Sequence, residues 1–435
     1  MYRFALLWVL CSAAAQSSAV AQPVAASAGD VAPAGHGSTV SPATPSVPIS
    51  FAEAIASAAQ SPQVLQERAA AALLRDAQRT SPSLDANPTV TIAAGPRIAP
   101  SAERGFEGTL SISQSLSLTG AARLRRDALT AEATWLSAQA DSELLRRRLA
   151  IAERWLSLRE AEEQFELSVR AVGNESEFVT LVARLAVGGE RTKADVAAGE
   201  ARLAQALVQQ LRAEGMVVDA RAQLIAELGV TADEPLVTSG AAPEVALPTA
   251  AQQATMIAAA QTLPAVQSKK LAARSYALQA LEERAARGMR LNVGVDASRD
   301  ALGAYVVRGV VGIPLPLFDV AQRESASRRA ASLRADAEAA DAEVRARTML
   351  STVVHEVEHS EEVFAALRNR LVPAAERAVA MRDKQLQAHE GILLDVVEAR
   401  RGFFEAHSQL IQARRDRAWA RIRMATLFAA VRGDT

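Results

Sequence analysis

The feature that most constrains this fold is a duplication. Ser61-Pro62-Gln63-Val64 recurs as Leu263-Pro264-Ala265-Val266, Ile112 and Leu116 recur as Ile313 and Leu317, and Asp195-Val196 recurs as Asp395-Val396, every offset lying between 200 and 202 residues. Even a helix breaker has a counterpart, Gly173 against Pro373. Register kept over the length of a domain marks two copies of one structural unit, and any fold has to accommodate both.

Each copy changes period in the same order. In the first, Ser50-Phe51-Ala52-Glu53 has the spacing of a capping box, and a helical pattern follows to Thr80 with a break near Pro62. NPTVTIAA (Asn87 to Ala94) and GTLSISQSLSL (Gly108 to Leu118) then alternate apolar with small or polar residues, as strands do. A helical pattern runs from Ala121 to Val187, Gly188-Gly189 interrupts it, and a second helix from Thr192 to Leu228 stops at Gly229. The second copy follows the Pro-bearing stretch VTADEPLVTSGAAPEVALP. It predicts a helix over Ala251 to Arg287, strands over Arg290 to Ser298 and Ala304 to Phe318, a long helix over Ala321 to Ala388, a break at Gly391 and a last helix ending near Val431.

The N-terminus carries Arg3, an apolar run from Phe4 to Cys11, and the small-residue site Ala19-Val20-Ala21, which together predict a secretory signal peptide. Leu10 before Cys11 is not small, which argues against a lipoprotein signal; cleavage after Ala21 leaves no cysteine for disulfide or thiol chemistry. The expected organisation is a signal peptide at 1–21, a flexible Ala/Pro/Ser/Gly leader at 22–49, repeats at 50–229 and 251–433, and a linker at 230–250. Net charge is −1, which argues against a nucleic-acid partner, and aromatics are only 4% while alanine is abundant, which suits close-packed helices.

Lengths suggest a shape. A helix of roughly 67 residues spans on the order of 100 Å, several bilayer thicknesses, whereas strands of about 8 to 11 residues suit a tilted transmembrane strand. Four strands cannot close a barrel, since the smallest has about eight. Several chains therefore have to contribute to one barrel.

The order of elements and the local motifs resemble the TolC-like outer-membrane efflux family. The motifs are PISFAEAIASAAQSPQV, SISQSLSLTGAARLRRDAL, VGIPLPLFDVAQRESASRRA, GGERTKADVAAGEARL and HEGILLDVVEARRGFF, and the resemblance spans Ser50 to Gly433. It implies a mainly α fold with a small β part: a homotrimer with a 12-stranded transmembrane β-barrel on a long α-helical periplasmic tunnel, in the outer membrane of a Gram-negative bacterium. It also implies a passive duct of a tripartite efflux system, with a periplasmic adaptor (membrane fusion) protein, an inner-membrane pump of the resistance-nodulation-division type and outer-membrane lipid as partners, and neither catalysis nor a cofactor. GIPLPLFD looks most like the heavy-metal branch, the cobalt-zinc-cadmium (CzcC-like) components. A drug channel, and in another class a soluble periplasmic coiled-coil adaptor, are the alternatives.

By the same resemblance Asp195, Asp395 and Glu398, with Arg191, line a periplasmic entrance constriction where carboxylates concentrate cations. Gly188, Gly189 and Gly391 mark the adaptor-docking turns. The copies differ there: Ala198 stands where Glu398 would be matched, and Gly391 where Arg191 would be. The bland reading of Asp195 and Asp395 is that each favours the first turn of a helix through the dipole.

One motif points elsewhere. HEVEH, from His355 to His359, fits H-E-x-x-H, which on a helix offers two imidazoles to zinc and a glutamate as general base. An active zinc site needs a third ligand and a cleft. His389 lies about 45 Å along the same helix at 1.5 Å per residue, and His407 is out of register with it, so EVEHSEEVF reads as a solvated face and no resident metal is expected. Trp135, Trp155 and Trp419 are expected between helices, and Tyr305 and Phe318 in a membrane-interface girdle.

Overall fold

The computed structural model describes residues 47–82, 84, 87–97, 105–230, 235–300, 303–315, 318, 321–388 and 392–433. The signal segment, most of the leader, His389 and Gly391 lie outside the described residues.

The chain opens with β1 (Val47–Ser50), α1 (Phe51–Ser57), a 3-10 turn and α2 (Pro62–Thr80). Ser50 and Glu53 make both halves of the capping box: the serine hydroxyl accepts from the Glu53 amide at 3.3 Å, and the Glu53 carboxylate accepts from the Ser50 amide at 2.9 Å. Then come β2 (Thr89–Arg97), β3 (Gly105–Ser117), α3 (Ala121–Val187) and α4 (Lys193–Leu228). After β4 (Leu236–Ser239) and α5 (Ala250–Ala258), the order continues with α6 (Pro264–Ala286), β5 (Arg290–Arg299), β6 (Tyr305–Gly312), α7 (Gln322–Ala366), α8 (Val372–Gln387) and α9 (Leu393–Arg432).

Four expectations are corrected. The helix expected over Ala251 to Arg287 breaks at a 3-10 turn before Pro264, because proline has no amide to donate and fits a helix only in its first turn. The helix expected over Ala321 to Ala388 is interrupted by a π-turn over Leu367–Leu371, just ahead of Pro373, while Gly173 leaves α3 unbroken for 67 residues. Proline removes a ladder bond and glycine only weakens one. The strand expected to Phe318 ends at Gly312, with Pro314 two residues beyond. Finally, the end of the leader and the middle of the linker are β1 and β4, which pair in parallel from Val47 opposite Leu236 to Ser50 opposite Ser239.

That small sheet is bolted to α3. The Trp155 indole N–H donates to the Ile49 carbonyl at 3.1 Å, and the Glu162 carboxylate accepts from the Thr238 amide at 3.1 Å and from its hydroxyl. Trp155 is fully buried beside Phe51, whose ring meets it edge-on at 5.4 Å, within a cluster that includes Ala54, Val64, Leu158, Leu224 and Ile422. A second cluster joins α6, α7 and α9 through Val266, Leu350, Val353, Val357, Met424 and Leu427. Trp135 packs on Tyr276 and Trp419 against the first cluster, so the tryptophans sit between helices as expected.

The remaining strands form one antiparallel sheet in the order β2-β3-β5-β6. The helices attached to them keep that order, with α2 against α3, α3 against α6 and α6 against α7. Farther along α3 its neighbours become α4 and α9, and α9 also packs on α7 and α8. Each strand therefore feeds a helix in the same layer. The joint between them is fastened by the Thr119 hydroxyl, which donates to the Ala285 carbonyl at 2.6 Å, and by the Leu118 amide, which donates to the Met289 carbonyl at 3.0 Å. No helix among the described residues is long and apolar enough to cross a membrane.

Trp155→Phe should keep most of the apolar burial but lose the bond to Ile49, costing about 1–3 kcal/mol, and Trp155→Ala about 3–5 kcal/mol. Chemical denaturation of the two variants beside the parent checks the order and the sizes.

Candidate functional site

Two regions carry the candidate chemistry: the sheet, and the far turns of the helices.

In the sheet the register sorts residues by face. Val90, Ile112, Val295 and Gly309 stand in one row across the four strands, and Ile92, Leu110, Ala297 and Val307 in another. The rows pointing the other way are Thr91, Ser111, Asp296 and Arg308, then Thr89, Ser113, Gly294 and Val310. One face is thus mainly apolar, Gln114 and Arg299 excepted, and on it Ile92 is 76% and Val307 71% exposed, with Phe106, Val293, Tyr305 and Val311 in the same set. The opposite face is mainly hydroxyl and charged, Val306 and Val310 excepted, and there the Ser111 hydroxyl bonds the Asp296 carboxylate. Such a sheet suits an apolar medium on one side and water on the other. Both outer strands, β2 and β6, keep one edge without a strand neighbour among the described residues.

At the opposite end, α3 closes in a Schellman turn. The Glu190 amide donates to the Leu185 carbonyl at 3.0 Å and the Gly189 amide to the Ala186 carbonyl at 3.1 Å, with Gly189 left-handed at φ 79° as that turn requires. Thr192 then caps α4, its hydroxyl accepting from the Asp195 amide at 3.2 Å. The Asp195 carboxylate returns the bond, accepting from the Thr192 amide and hydroxyl at 2.9 Å each. The backbone bond, then the hydroxyl bond, hold the Asp195 carboxyl below the ordinary aspartate range, and Arg191 adds a smaller favourable field. For Asp195 the helix-start role is therefore realised.

Asp395 does different work because Ile392, at the matching cap position, has no hydroxyl to offer. Its carboxylate instead takes an ion pair with Arg382 of α8 at 3.0 Å. Glu398 is exposed and borders a groove of about 1210 Å³ between α4 and α9 over α3, whose walls include Glu160, Glu175, Arg202 and Phe404.

The fold brings the two turns together through an apolar knot rather than through the acids. Phe178, Val182, Leu386 and Val396 are buried in one cluster, with Val196, Leu393 and Val397 against it. No hydrogen bond or ion pair joins Asp195 to Asp395 or Glu398 among the described residues, and no group of three His, Cys, Asp or Glu side chains there could hold a metal ion. Sequence reasoning missed Arg400, the residue that ties the knot. It bonds Asp383 at 3.0 Å and the Asn174 carbonyl at 3.1 Å, and its guanidinium lies 5.0 Å from the centre of the Phe178 ring. Its position, two residues past Glu398 in a run of helix, gave no signal of a partner on α3.

HEVEH does not form a hydrolase site. The would-be general base Glu356 is committed to Arg423 at 2.8 Å, and His407 lies against Glu376 at 3.5 Å with its ring 4.4 Å from that of Phe403. The reading of EVEHSEEVF as one solvated face is corrected as well. Glu361 is gripped by Arg417 and Arg421 of α9; burial raises its pKa, but the two arginines outweigh that and hold it below the usual range. Within that run Glu358, His359, Glu362 and Val363 are exposed, as is His355 just before it.

Solved structures share this architecture. CusC, described in a study of the conformational changes accompanying folding and transmembrane channel formation, superposes with a TM-score of 0.65 over 90% of this chain and 95% of its own at 13% identity. The fold is that of outer-membrane channels. The open-state MtrE outer-membrane channel of Neisseria gonorrhoeae gives a TM-score of 0.64 at 17% identity, covering 87% of this chain and 88% of its own. The outer-membrane protein VceC of Vibrio cholerae gives 0.62 at 17% identity, covering 88% of this chain and 95% of its own. No family model and no curated protein matches the sequence. In this channel fold the amphipathic sheet and the far turns are opposite ends of the same layer of helices.

Thr192→Ala should cost roughly 1 kcal/mol through the lost cap, and the Asp195 carboxyl should titrate higher once the hydroxyl bond is gone. Because the folded-state pKa of Asp195 is depressed, its contribution is present above the ordinary aspartate value of about 3.9 and is lost as pH falls through the lowered one. Carboxyl titration by NMR on labelled protein, with denaturation at neutral pH and in acid, checks both statements.

Proposed function

We propose that the chain is the outer-membrane channel of a tripartite efflux system, a passive exit duct without enzymatic activity. The observation that carries this reading is the four-stranded sheet, apolar on one face and polar on the other, with both edges unpaired and every strand continued by a helix. Three chains placed edge to edge, β6 of one beside β2 of the next, close twelve strands into a barrel that satisfies every edge and turns the apolar face to lipid. Tyr305 and Phe318, both exposed, then belong to the interfacial girdle. The long helices form the periplasmic tunnel. An adaptor without a membrane-spanning part leaves the apolar sheet face unexplained, so the channel reading is preferred.

At the far end, the Gly188-Gly189 turn is where a periplasmic adaptor docks, linking the duct to an inner-membrane pump that supplies the energy; Gly391, outside the described residues, is assigned the same role from its place in the sequence alone. Asp395, Glu398 and Arg191 border the entrance constriction. Asp195 shares its position there while its carboxylate holds the start of α4. The substrate proposed is a heavy-metal cation, on the strength of the GIPLPLFD motif. Neutralising the acids then weakens cation attraction without closing the pore.

Single-channel conductance in planar bilayers is the test. Stable pores of uniform size are expected from the parent protein, with block by divalent cations added on the tunnel side. That block should weaken in Asp395→Ala/Glu398→Ala and less in Asp195→Ala. Folded protein that forms no pore overturns the channel reading, and unchanged block in the variants overturns the assignment of the constriction. Loss of resistance to metals, rather than to organic drugs, in a deletion strain decides the substrate.

A further inference from the structure

HEVEH is the motif that neither a hydrolase nor a duct accounts for. The structure fixes how it is presented. Val353 and Val357 are buried beside Met424 and Leu427, and Glu356 is paired with Arg423 of α9 at 2.8 Å. These contacts lock the rotation of α7 about its axis, so that His355 and His359 stand together on its exposed flank. Their ring centroids are 6.3 Å apart and the rings are within 22° of parallel. Neither imidazole is engaged in a hydrogen bond or ion pair among the described residues.

We propose that His355 and His359 form a two-imidazole contact site for a divalent transition-metal cation of the zinc, copper or nickel type. Residues four apart on a helix are neighbours on one face, so side-chain rotation alone brings a nitrogen of each ring toward one ion. Imidazole nitrogens suit these metals over magnesium or calcium, which prefer oxygen. With two protein ligands the other coordination positions belong to water, so the ion exchanges rather than resides. The site differs from a catalytic zinc centre in having no free general base, because Arg423 holds Glu356. The proposal does not depend on the channel reading; it concerns α7 alone.

The test uses the full purified chain in detergent, with Zn2+ and Cu2+ as probes in equilibrium dialysis. Even an outer-shell partner of a metal site is worth about 10–100-fold in affinity, so His355→Ala and His359→Ala are each expected to weaken binding at least about tenfold. The double variant should lose the site, whereas His407→Gln and His389→Gln retain it. Both altered residues are exposed, so thermal unfolding should be unchanged, and Cu2+ bound to the parent should show two nitrogen ligands by electron paramagnetic resonance. Parent-like binding in the double variant, loss of binding in His389→Gln, or no binding by the parent protein would each overturn the proposal. Conductance of the same preparation separates it from the channel reading: pores without metal binding remove only the site, and metal binding without pores removes only the channel.

Discussion

A helix of 67 residues is about 100 Å long at 1.5 Å per residue, far more than one neighbour can cover, and the rest of the molecule is arranged around α3 for that reason. Its flanks are closed in turn by α2 and α6 near the sheet and by α4 and α9 farther on, and Trp155 at its middle anchors the small β1/β4 sheet. Seven of its buried residues are alanines, Ala121, Ala128, Ala131, Ala133, Ala140, Ala152 and Ala161, interleaved with larger ones such as Leu144, Trp155 and Phe178. Small side chains let helices approach closely over a long distance, and so a sequence with few aromatics can still bury a continuous seam.

The two ends of this seam are stabilised by different physics. At the sheet, side-chain alternation alone separates an apolar face from a polar one, and the ladder holds the register that keeps them apart. At the turns, a few apolar residues around Phe178 and Val396 bring the two hairpins together while polar groups fix their local geometry. Asp195 and Asp395 show how position and partner divide the work. Matched in sequence, one serves a helix cap and the other an ion pair between helices, because threonine precedes one by three residues and isoleucine the other.

Much of the secondary structure was legible. The span of α3, from Ala121 to Val187, followed from the end of the strand pattern at Leu118 and from the Gly188-Gly189 pair, and the capping box at Ser50 marked a helix start by residue type alone, whereas the matching box at Thr192 emerged only in the structure. β1 and β4 were not legible. VPIS and LVTS are four-residue segments with no periodicity of their own, and they become strands only because α3 holds them side by side. The break before Pro264 was available from its match to Pro62 but was overridden by a continuous helical pattern. Of the candidate site, the acids and the turns could be found by position, while Arg382 and Arg400 could not, since their partners lie on other stretches of chain.

By itself, the sequence determined the type, order and length of most elements, because caps, breakers and hydrophobic periods act within a few residues of the chain. It also determined which strand residues are apolar, and hence that the sheet has two unlike faces once its register is set. Only the tertiary structure decided that β3 lies beside β5, that the helices continue the order of the strands, and that Glu356 is spent on Arg423 while His355 and His359 remain outward. Those outcomes depend on contacts between residues as much as some 260 positions apart, where packing and charge pairing choose among partners that local pattern cannot rank.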